Sequence, residues 1–319
     1  MSTMDNYMAV NKNAEGIIGK FFYYSTSNIL IPKDKFAEIG QSMGLAKFKP
    51  AKESKAGAYR NATTAIKDNV LGRDGTTQYV IYCRNNKRED ARFLYRELIK
   101  ETLQSRSNEY TKLANIIFDK ENELVTYENV VYDADIDVVK HCEQAVELYY
   151  KFCDCYNTAQ VDSVIQDMIS RMQANKISIH GNLYFIPNQY LQMLDTLEDY
   201  IEALAKYNLN SGLVTANSMF VVDDEKQRQK MTEEFYINYK RDIDMYRQKI
   251  QNFIDNGCDS KAVTERWIQK VKALEAKRVT YEEILKRQLD DLNQDFDLLK
   301  LQSNELAVRN SKAQMKIAA

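Results

Sequence analysis

Basic and aromatic side chains alternate in two stretches of the N-terminal third of the chain. Residues 47–60 combine lysines and an arginine with Phe48 and Tyr59, and residues 84–96 are rich in arginine. Cationic side chains bind phosphates and aromatic rings stack on bases, so this combination is typical of nucleic-acid-binding surfaces. An ordinary surface with scattered salt bridges is the alternative. The candidate residues are Lys47, Lys49, Lys52, Lys55, Tyr59, Arg60, Arg84, Lys87, Arg88 and Arg92.

Two groups of aspartates could bind a metal ion. Asp133, Asp135 and Asp137 stand at alternate positions, and a second group lies within residues 290–297. Paired carboxylates can hold Mg²⁺ for phosphoryl transfer, which makes a metal-dependent nuclease one hypothesis. It requires one of the first three aspartates to converge with a lysine in a cleft. The alternatives are helix capping and a solvated helix face, and no metal or cofactor is assigned.

Histidine and cysteine offer little catalytic chemistry in this sequence. Two histidines, His141 and His180, leave few general bases. Five cysteines at unrelated spacings do not form a disulfide framework. Cys142 and Cys153 would share a helix face while Cys155 would point elsewhere, so one helix cannot close a metal site with them. The familiar nucleotide-binding and hydrolase motifs are missing, and no residue is assigned as catalytic.

Long amphipathic helices are predicted for the C-terminal third. Residues 260–309 carry apolar residues at steps of three and four, which indicates one uninterrupted helix that packs against another. A shorter helix with a similar seam precedes it, and the turn at residues 255–257 predicts that the two form an antiparallel coiled-coil hairpin. The unmatched end of the longer helix must pack against another subunit or another helix of the chain. The candidate interface residues are Leu292, Phe296, Leu299 and Leu306.

Composition and patterning predict a predominantly helical α+β protein of several domains. Ten glycines and three prolines among 319 residues favour long helices over a loop-rich sandwich or barrel. The predicted parts are a flexible tail (1–19), an α+β domain with mostly antiparallel strands (20–132), a helical domain with a short hairpin (133–222) and the helical hairpin (223–319). Helices are predicted over residues 89–105 and 133–175.

The distribution of charge and the lack of targeting signals limit which partners and which cellular location we expect. The net charge is −2, but residues 41–112 hold fifteen Lys/Arg against eight Asp/Glu, and residues 113–222 hold six against sixteen. One region could therefore meet an anion that the next would repel. No signal pattern and no membrane-spanning apolar run is evident, so we expect a cytoplasmic protein without a membrane partner.

Four short segments carry a resemblance to a known group of proteins. They are FFYY at residues 21–24, LAKFKP at 45–50, AYRNA at 58–62 and GNLYFIP at 181–187. The chain resembles a broad group of uncharacterised proteins carried by bacteriophages, plasmids and other mobile elements. That resemblance implies a bacterial host cytoplasm and a role in phage biology or host conflict, and it implies no catalytic residues.

Three functions follow from these patterns. The first is a non-enzymatic assembly or interaction protein that forms a homo-oligomer or binds a protein partner through its long helices. The second is a nucleic-acid-binding protein that uses the basic N-terminal region. The third is the metal-dependent nuclease, so the sequence leaves open whether the protein is an enzyme.

Overall fold

The structure is a computed structural model that describes residues 16–86, 88, 90–103, 109–177, 181–257 and 260–318. Most of the predicted tail, together with Lys87, His180 and Cys258, lies outside these residues. In chain order the elements are β1 (Ile17–Thr26), β2 (Leu30–Pro32), α1 (Lys33–Ser42), α2 (Lys55–Ala65), β3 (Lys67–Leu71), β4 (Gln78–Asn85), β5 (Phe93–Thr102), β6 (Glu109–Asp119), β7 (Leu124–Glu128), α3 (Val138–Asp154), β8 (Cys155–Asn157), α4 (Thr158–Arg171), β9 (Asn175–Lys176), β10 (Leu183–Pro187), α5 (Leu191–Ala205), β11 (Val214–Val222), α6 (Glu225–Asn256), α7 (Lys261–Leu285) and α8 (Asn293–Ala318).

The chain is an α+β protein that divides into two compact units. The sheet unit comprises Thr26–Asp167 and Tyr200–Thr215, and the bundle unit comprises Met1–Ser25, Met168–Asp199 and Ala216–Ala319. This division differs from the predicted boundaries after residues 132 and 222. The difference arises because α3 shares one buried core with the strands that precede it.

The sheet unit is built on an antiparallel sheet with the strand order β3-β4-β5-β6-β7. Side chains from α2 and α3 enter the same core as the sheet. Tyr59 of α2 stacks on Phe118 of β6 with ring centroids 5.4 Å apart, and Tyr149 of α3 lies 5.6 Å from the same ring. Aromatic and β-branched residues are frequent in these strands, as expected for residues that favour sheets.

The predicted helix over residues 89–105 is wrong, because Phe93–Thr102 is the central strand β5. Leu94 and Leu98 stand four residues apart, which fits a helix. The segment is nevertheless a strand, because it pairs with β4 on one side and β6 on the other. The predicted helix over residues 133–175 is interrupted. Asp137 caps α3, and strand β8, which pairs with β2, separates α3 from α4.

The bundle unit contains a sheet with the order β11-β1-β10-β9 and the helices α6, α7 and α8. Phe185 of β10 lies 6.0 Å from Tyr281 of α7, and Tyr281 stacks on Phe235 of α6 at 4.1 Å. Tyr246 and Phe253, further along α6, contact Trp267 near the start of α7. The order of these contacts shows that α6 and α7 run in opposite directions.

The single helix predicted over residues 260–309 is broken in the structure. Helix α7 ends at Leu285, Lys286 takes a left-handed conformation with φ of 53°, and α8 begins at Asn293. The Glu282 side chain stabilises the turn, because its Oε1 accepts the Leu289 backbone N–H at 2.9 Å. The second half of the predicted rod therefore folds back as a separate helix.

The four predicted interface residues lie in the bundle core. Leu292, Phe296, Leu299 and Leu306 are at most 3 % exposed and belong to the same buried cluster as α6 and α7. The unmatched seam that suggested another subunit is thus covered within the chain. These residues fit the other expectation, in which the long helix packs against helices of its own chain.

Candidate nucleic-acid interface

The sheet unit contains a cavity of about 780 Å³ with an apolar lining and a basic rim. We call it the lysine cavity. Its lining comes from α1, residues 45–54, the start of α2 and residues 152–160. The apolar side chains include Phe36, Leu45, Phe48 and Ala58, which are buried. The basic residues of the lining are Lys33, Lys49, Lys52 and Lys55.

Local hydrogen bonds hold the basic segment against α4. The Ala51 N–H donates to Ser163 Oγ at 3.2 Å, and Gln160 Nε2 donates to the Ala51 carbonyl at 3.0 Å. Ser54 then caps α2, because its side chain accepts the Gly57 N–H at 3.1 Å. Lysines that precede α2 are therefore presented from a fixed backbone.

Three lysines of the rim are exposed and carry charges that no carboxylate of the described residues neutralises: Lys49, Lys52 and Lys55. Lys33 differs, since its ammonium donates to the Cys153 carbonyl and lies 5.5 Å from the centre of the Tyr156 ring. The rim is positive as a result.

Glu53 places a half-buried carboxylate in the lysine cavity. Its Oε2 accepts from Asn157 Nδ2 at 3.0 Å, and its Oε1 accepts from Asn61 Nδ2. Burial raises the pKa of the Glu53 carboxyl, and the nearby Lys33 charge opposes that rise. A Cβ at position 57 would lie 2.9 Å from Glu53 Cγ, so Gly57 leaves room for this side chain. The result is an oriented hydrogen-bond acceptor at an apolar wall.

The other candidate residues of residues 47–60 have different positions. Lys47 does not line the lysine cavity, and its ammonium lies 5.3 Å from the Phe48 ring centre. Tyr59 is 1 % exposed, and its hydroxyl donates to the Ile116 carbonyl at 2.7 Å. Tyr59 is therefore a core residue with no ring face for a base, contrary to its prediction as a stacking residue.

Arg84 and Arg92 are held in ion pairs on the sheet surface. Arg84 Nε lies 3.0 Å from a Glu97 carboxylate oxygen. Arg92 binds Asp119 through two nitrogens, the closer at 2.6 Å, and its guanidinium holds the pKa of the Asp119 carboxyl well below its usual range. Neither guanidinium lines the lysine cavity. These two residues fit the alternative of an ordinary paired surface.

A family match extends over residues 17–314, which is most of the chain. The chain belongs to the Family of unknown function (DUF6744). No match was found among curated proteins or among solved structures. No helix in the described part of this DUF6744 chain is long and apolar enough to cross a membrane.

The aspartates near residue 133 of the DUF6744 chain converge on a lysine. Lys100 Nζ lies 2.8 Å from Asp133 Oδ2 and 3.5 Å from Asp135 Oδ2. The ammonium ion thus occupies the space between both carboxylates. Asp137 instead caps α3, accepting the Lys140 N–H at 3.1 Å. No group of three metal-ligating side chains was found in the described ranges.

The described cysteines of the chain are free thiols, and three of them are buried. Burial raises the pKa of Cys83 to about 12 and that of Cys142 to about 11. Such thiols hold their protons at neutral pH and are poor nucleophiles. They fit a packing role in the sheet-unit core, to which both belong.

Sequence reasoning missed Lys33, which reaches the rim of the lysine cavity from α1. Lys33 is the first residue of α1 and stands fourteen positions before Lys47. Only the fold of the sheet unit brings it beside residues 49–55. A charge count in a sliding window could not have found it.

Proposed function

We propose that the sheet unit binds single-stranded nucleic acid at the lysine cavity. The observation that carries this proposal is the arrangement of Lys49, Lys52 and Lys55. These exposed ammonium groups have no carboxylate partner among the described residues, and the three lysines line the same cavity as buried apolar side chains. A polyanion with apolar rings complements both properties.

Phosphates are the part of the ligand that the rim binds. Lys49, Lys52 and Lys55 lie within seven consecutive residues held by the contacts of Ala51 and Ser54. Each lysine that contacts a phosphate releases condensed counterions, so binding weakens as salt rises. Contacts to the phosphates of the nucleic acid do not depend on its base sequence.

A base is the part of the ligand that the recess accepts. Its volume of about 780 Å³ lies within the range of roughly 300–1,000 Å³ that ligand pockets occupy. Phe36, Leu45 and Phe48 supply apolar contact, and the Glu53 carboxylate can accept from an exocyclic amino group. A stacked and paired base cannot enter such a recess, which favours a single strand over a duplex.

Fluorescence anisotropy with labelled oligonucleotides tests this function. We expect single-stranded DNA or RNA to bind more tightly than a duplex of the same length. Lys49→Gln should lower the affinity several-fold. Lys47→Gln, which removes an equal charge at a residue that does not line the lysine cavity, should have a smaller effect. Binding that neither substitution weakens, or no binding at low salt, would contradict the proposal.

Assembly through the long helices stays a prediction. The apolar residues of the C-terminal helix that suggested it do not support it. Leu292, Phe296, Leu299 and Leu306 are buried in their own chain. Coiled-coil geometry of the C-terminal helices and a phage or mobile-element context also stay predictions. Nuclease activity also stays a prediction. Asp133 and Asp135 converge on Lys100 as that hypothesis requires, whereas no group of three metal-ligating side chains was found among the described residues.

A further inference from the structure

Arg96, on β5, carries a partly buried positive charge that has no carboxylate partner among the described residues. Its Nη1 donates to the Arg60 carbonyl at 3.1 Å, to Thr63 Oγ1 at 3.0 Å and to Thr64 Oγ1 at 2.7 Å. Its Nη2 donates to the Cys83 carbonyl at 2.9 Å, and its Nε is buried without a hydrogen-bond partner. All these acceptors are uncharged, so no carboxylate in the described part of the chain pairs with the Arg96 guanidinium.

Two other arginines of this sheet unit, Arg84 and Arg92, differ from Arg96 because each pairs with a carboxylate. Arg84 binds Glu97, and Arg92 binds Asp119. Removing part of a charge from water without a counter-ion is costly, and a bound anion would offset that cost. Arg96 therefore indicates a site for an anion.

The cavity beside Arg96 adds further arginines. This arginine cavity has a volume of about 340 Å³, and its lining includes Arg60, Arg88, Asn85 and Asn86. Arg60 is exposed and has no side-chain partner in the described part of the chain. The Arg88 guanidinium lies 4.3 Å from the centre of the Tyr95 ring. Three arginines thus line a space of the size that one small ligand occupies.

Among the described residues of the lining, Asp90 is the acidic one, and backbone donors already engage it. Its Oδ1 accepts the N–H of Arg92 at 2.8 Å and that of Phe93 at 3.0 Å. These hydrogen bonds hold the pKa of the Asp90 carboxyl below its usual value. Counted over the described lining residues, one carboxylate and three arginines leave the arginine cavity positive.

We propose that the arginine cavity binds a phosphate group, either free or at the end of a nucleotide. Arg60 and Arg88 would donate to the phosphate oxygens, and Arg96 would supply a fixed positive charge behind them. The planar guanidinium group matches phosphate geometry and donates two parallel hydrogen bonds. This site is separate from the lysine cavity and does not depend on the function proposed there.

Isothermal titration calorimetry with three probes tests the site: inorganic phosphate, a nucleoside 5′-monophosphate and the corresponding nucleoside. We expect both phosphate-bearing probes to bind and the nucleoside to show no heat of binding. Equal affinity for the two would assign free phosphate, and tighter binding of the nucleotide would assign a nucleotide phosphate. No binding of either, or equal binding of the nucleoside, would overturn the proposal.

Matched variants separate this site from its surroundings. The double substitution Arg60→Met with Arg88→Met should lower phosphate affinity by about tenfold or more, the loss of about 1.4 kcal/mol of charge-assisted hydrogen bonding. Both side chains are free of structural hydrogen bonds in the described chain, so the variant should fold. Arg92→Met, a paired arginine outside the lining, should bind phosphate as the wild type does. Unchanged affinity in the double variant would overturn the assignment.

A further variant distinguishes failure here from failure of the proposed function. Replacing Lys49, Lys52 and Lys55 with Gln removes the three exposed lysines of the rim and leaves the lining of the arginine cavity unchanged. We expect this triple variant to keep its affinity for inorganic phosphate. Loss of phosphate binding in the triple variant would place the phosphate at the lysine cavity and overturn the present inference.

Discussion

Lys277 provides a sharp test of packing in the bundle unit. Its ammonium donates to the Ala174 carbonyl at 2.7 Å and lies 5.8 Å from the centre of the Tyr281 ring. Burial lowers the pKa of Lys277 to about 8, and the nearby Asp242 charge opposes this shift only in part. The charged form of Lys277 is therefore less stable in the folded than in the unfolded chain.

The size and sign of the effect follow from linkage. An unfolded lysine titrates near its ordinary pKa of 10.5, and the folded one near 8. Between these values the unfolded state binds more protons, so the free energy of unfolding rises with pH. A difference of about 2.5 pKa units corresponds to about 3 kcal/mol. The destabilisation is complete below pH 8 and is relieved by about pH 10.5.

Urea unfolding of the wild type and Lys277→Met measures this effect. The chain has one tryptophan, Trp267, and its contacts with Tyr246 and Phe253 make its fluorescence a probe of the helices. The free energy of unfolding of the wild type, relative to the variant, should rise by about 3 kcal/mol from pH 7.5 to 10.5. Lys272→Met, at an exposed position of α7, is the control. A constant difference for Lys277→Met across this range would refute the reasoning.

Further predictions concern the cores and one turn. Leu299→Ala should lower the free energy of unfolding by about 2–5 kcal/mol, whereas Leu301→Ala, at a position 64 % exposed, should change it by about 0.5 kcal/mol or less in urea unfolding. In the native protein, Cys83 and Cys142 should react with a thiol reagent far more slowly than after denaturation, which absorbance can follow. Glu123→Gly should raise the melting temperature, because position 123 has φ of 53°, a left-handed conformation that costs a residue with a Cβ about 1 kcal/mol.

The sequence predicted much of the fold where local periodicity and tertiary packing agree. The α+β class, the antiparallel pairing and the amphipathic helices follow from patterns of period two and period three to four. The break after Leu285 was not predictable from helix breakers, since residues 260–318 contain no glycine or proline. At the break Lys286 is left-handed, and the apolar residues Leu285 and Leu289 on either side of it are buried in one shared core, a tertiary arrangement that the local sequence does not reveal.

Some candidate site residues could be predicted from a local sequence pattern, and others could not. Lys49, Lys52 and Lys55 are close in the chain and line one cavity, so a local charge pattern could find them. Tyr59 and Arg92 also have residue types suited to binding nucleic acid. However, Tyr59 lies in the core and Arg92 pairs with Asp119, and composition cannot show either contact.

Salt dependence of single-strand binding tests the central claim most directly. The slope of log affinity against log salt should be shallower by about two in the triple Gln variant of Lys49, Lys52 and Lys55, because each lost phosphate contact removes about 0.7 for a single strand. A control that replaces Lys47, Arg84 and Arg92 with Gln removes equal charge outside the lysine cavity and should keep most of the wild-type slope. Equal slopes for the wild type and the Lys49, Lys52 and Lys55 variant would contradict the account.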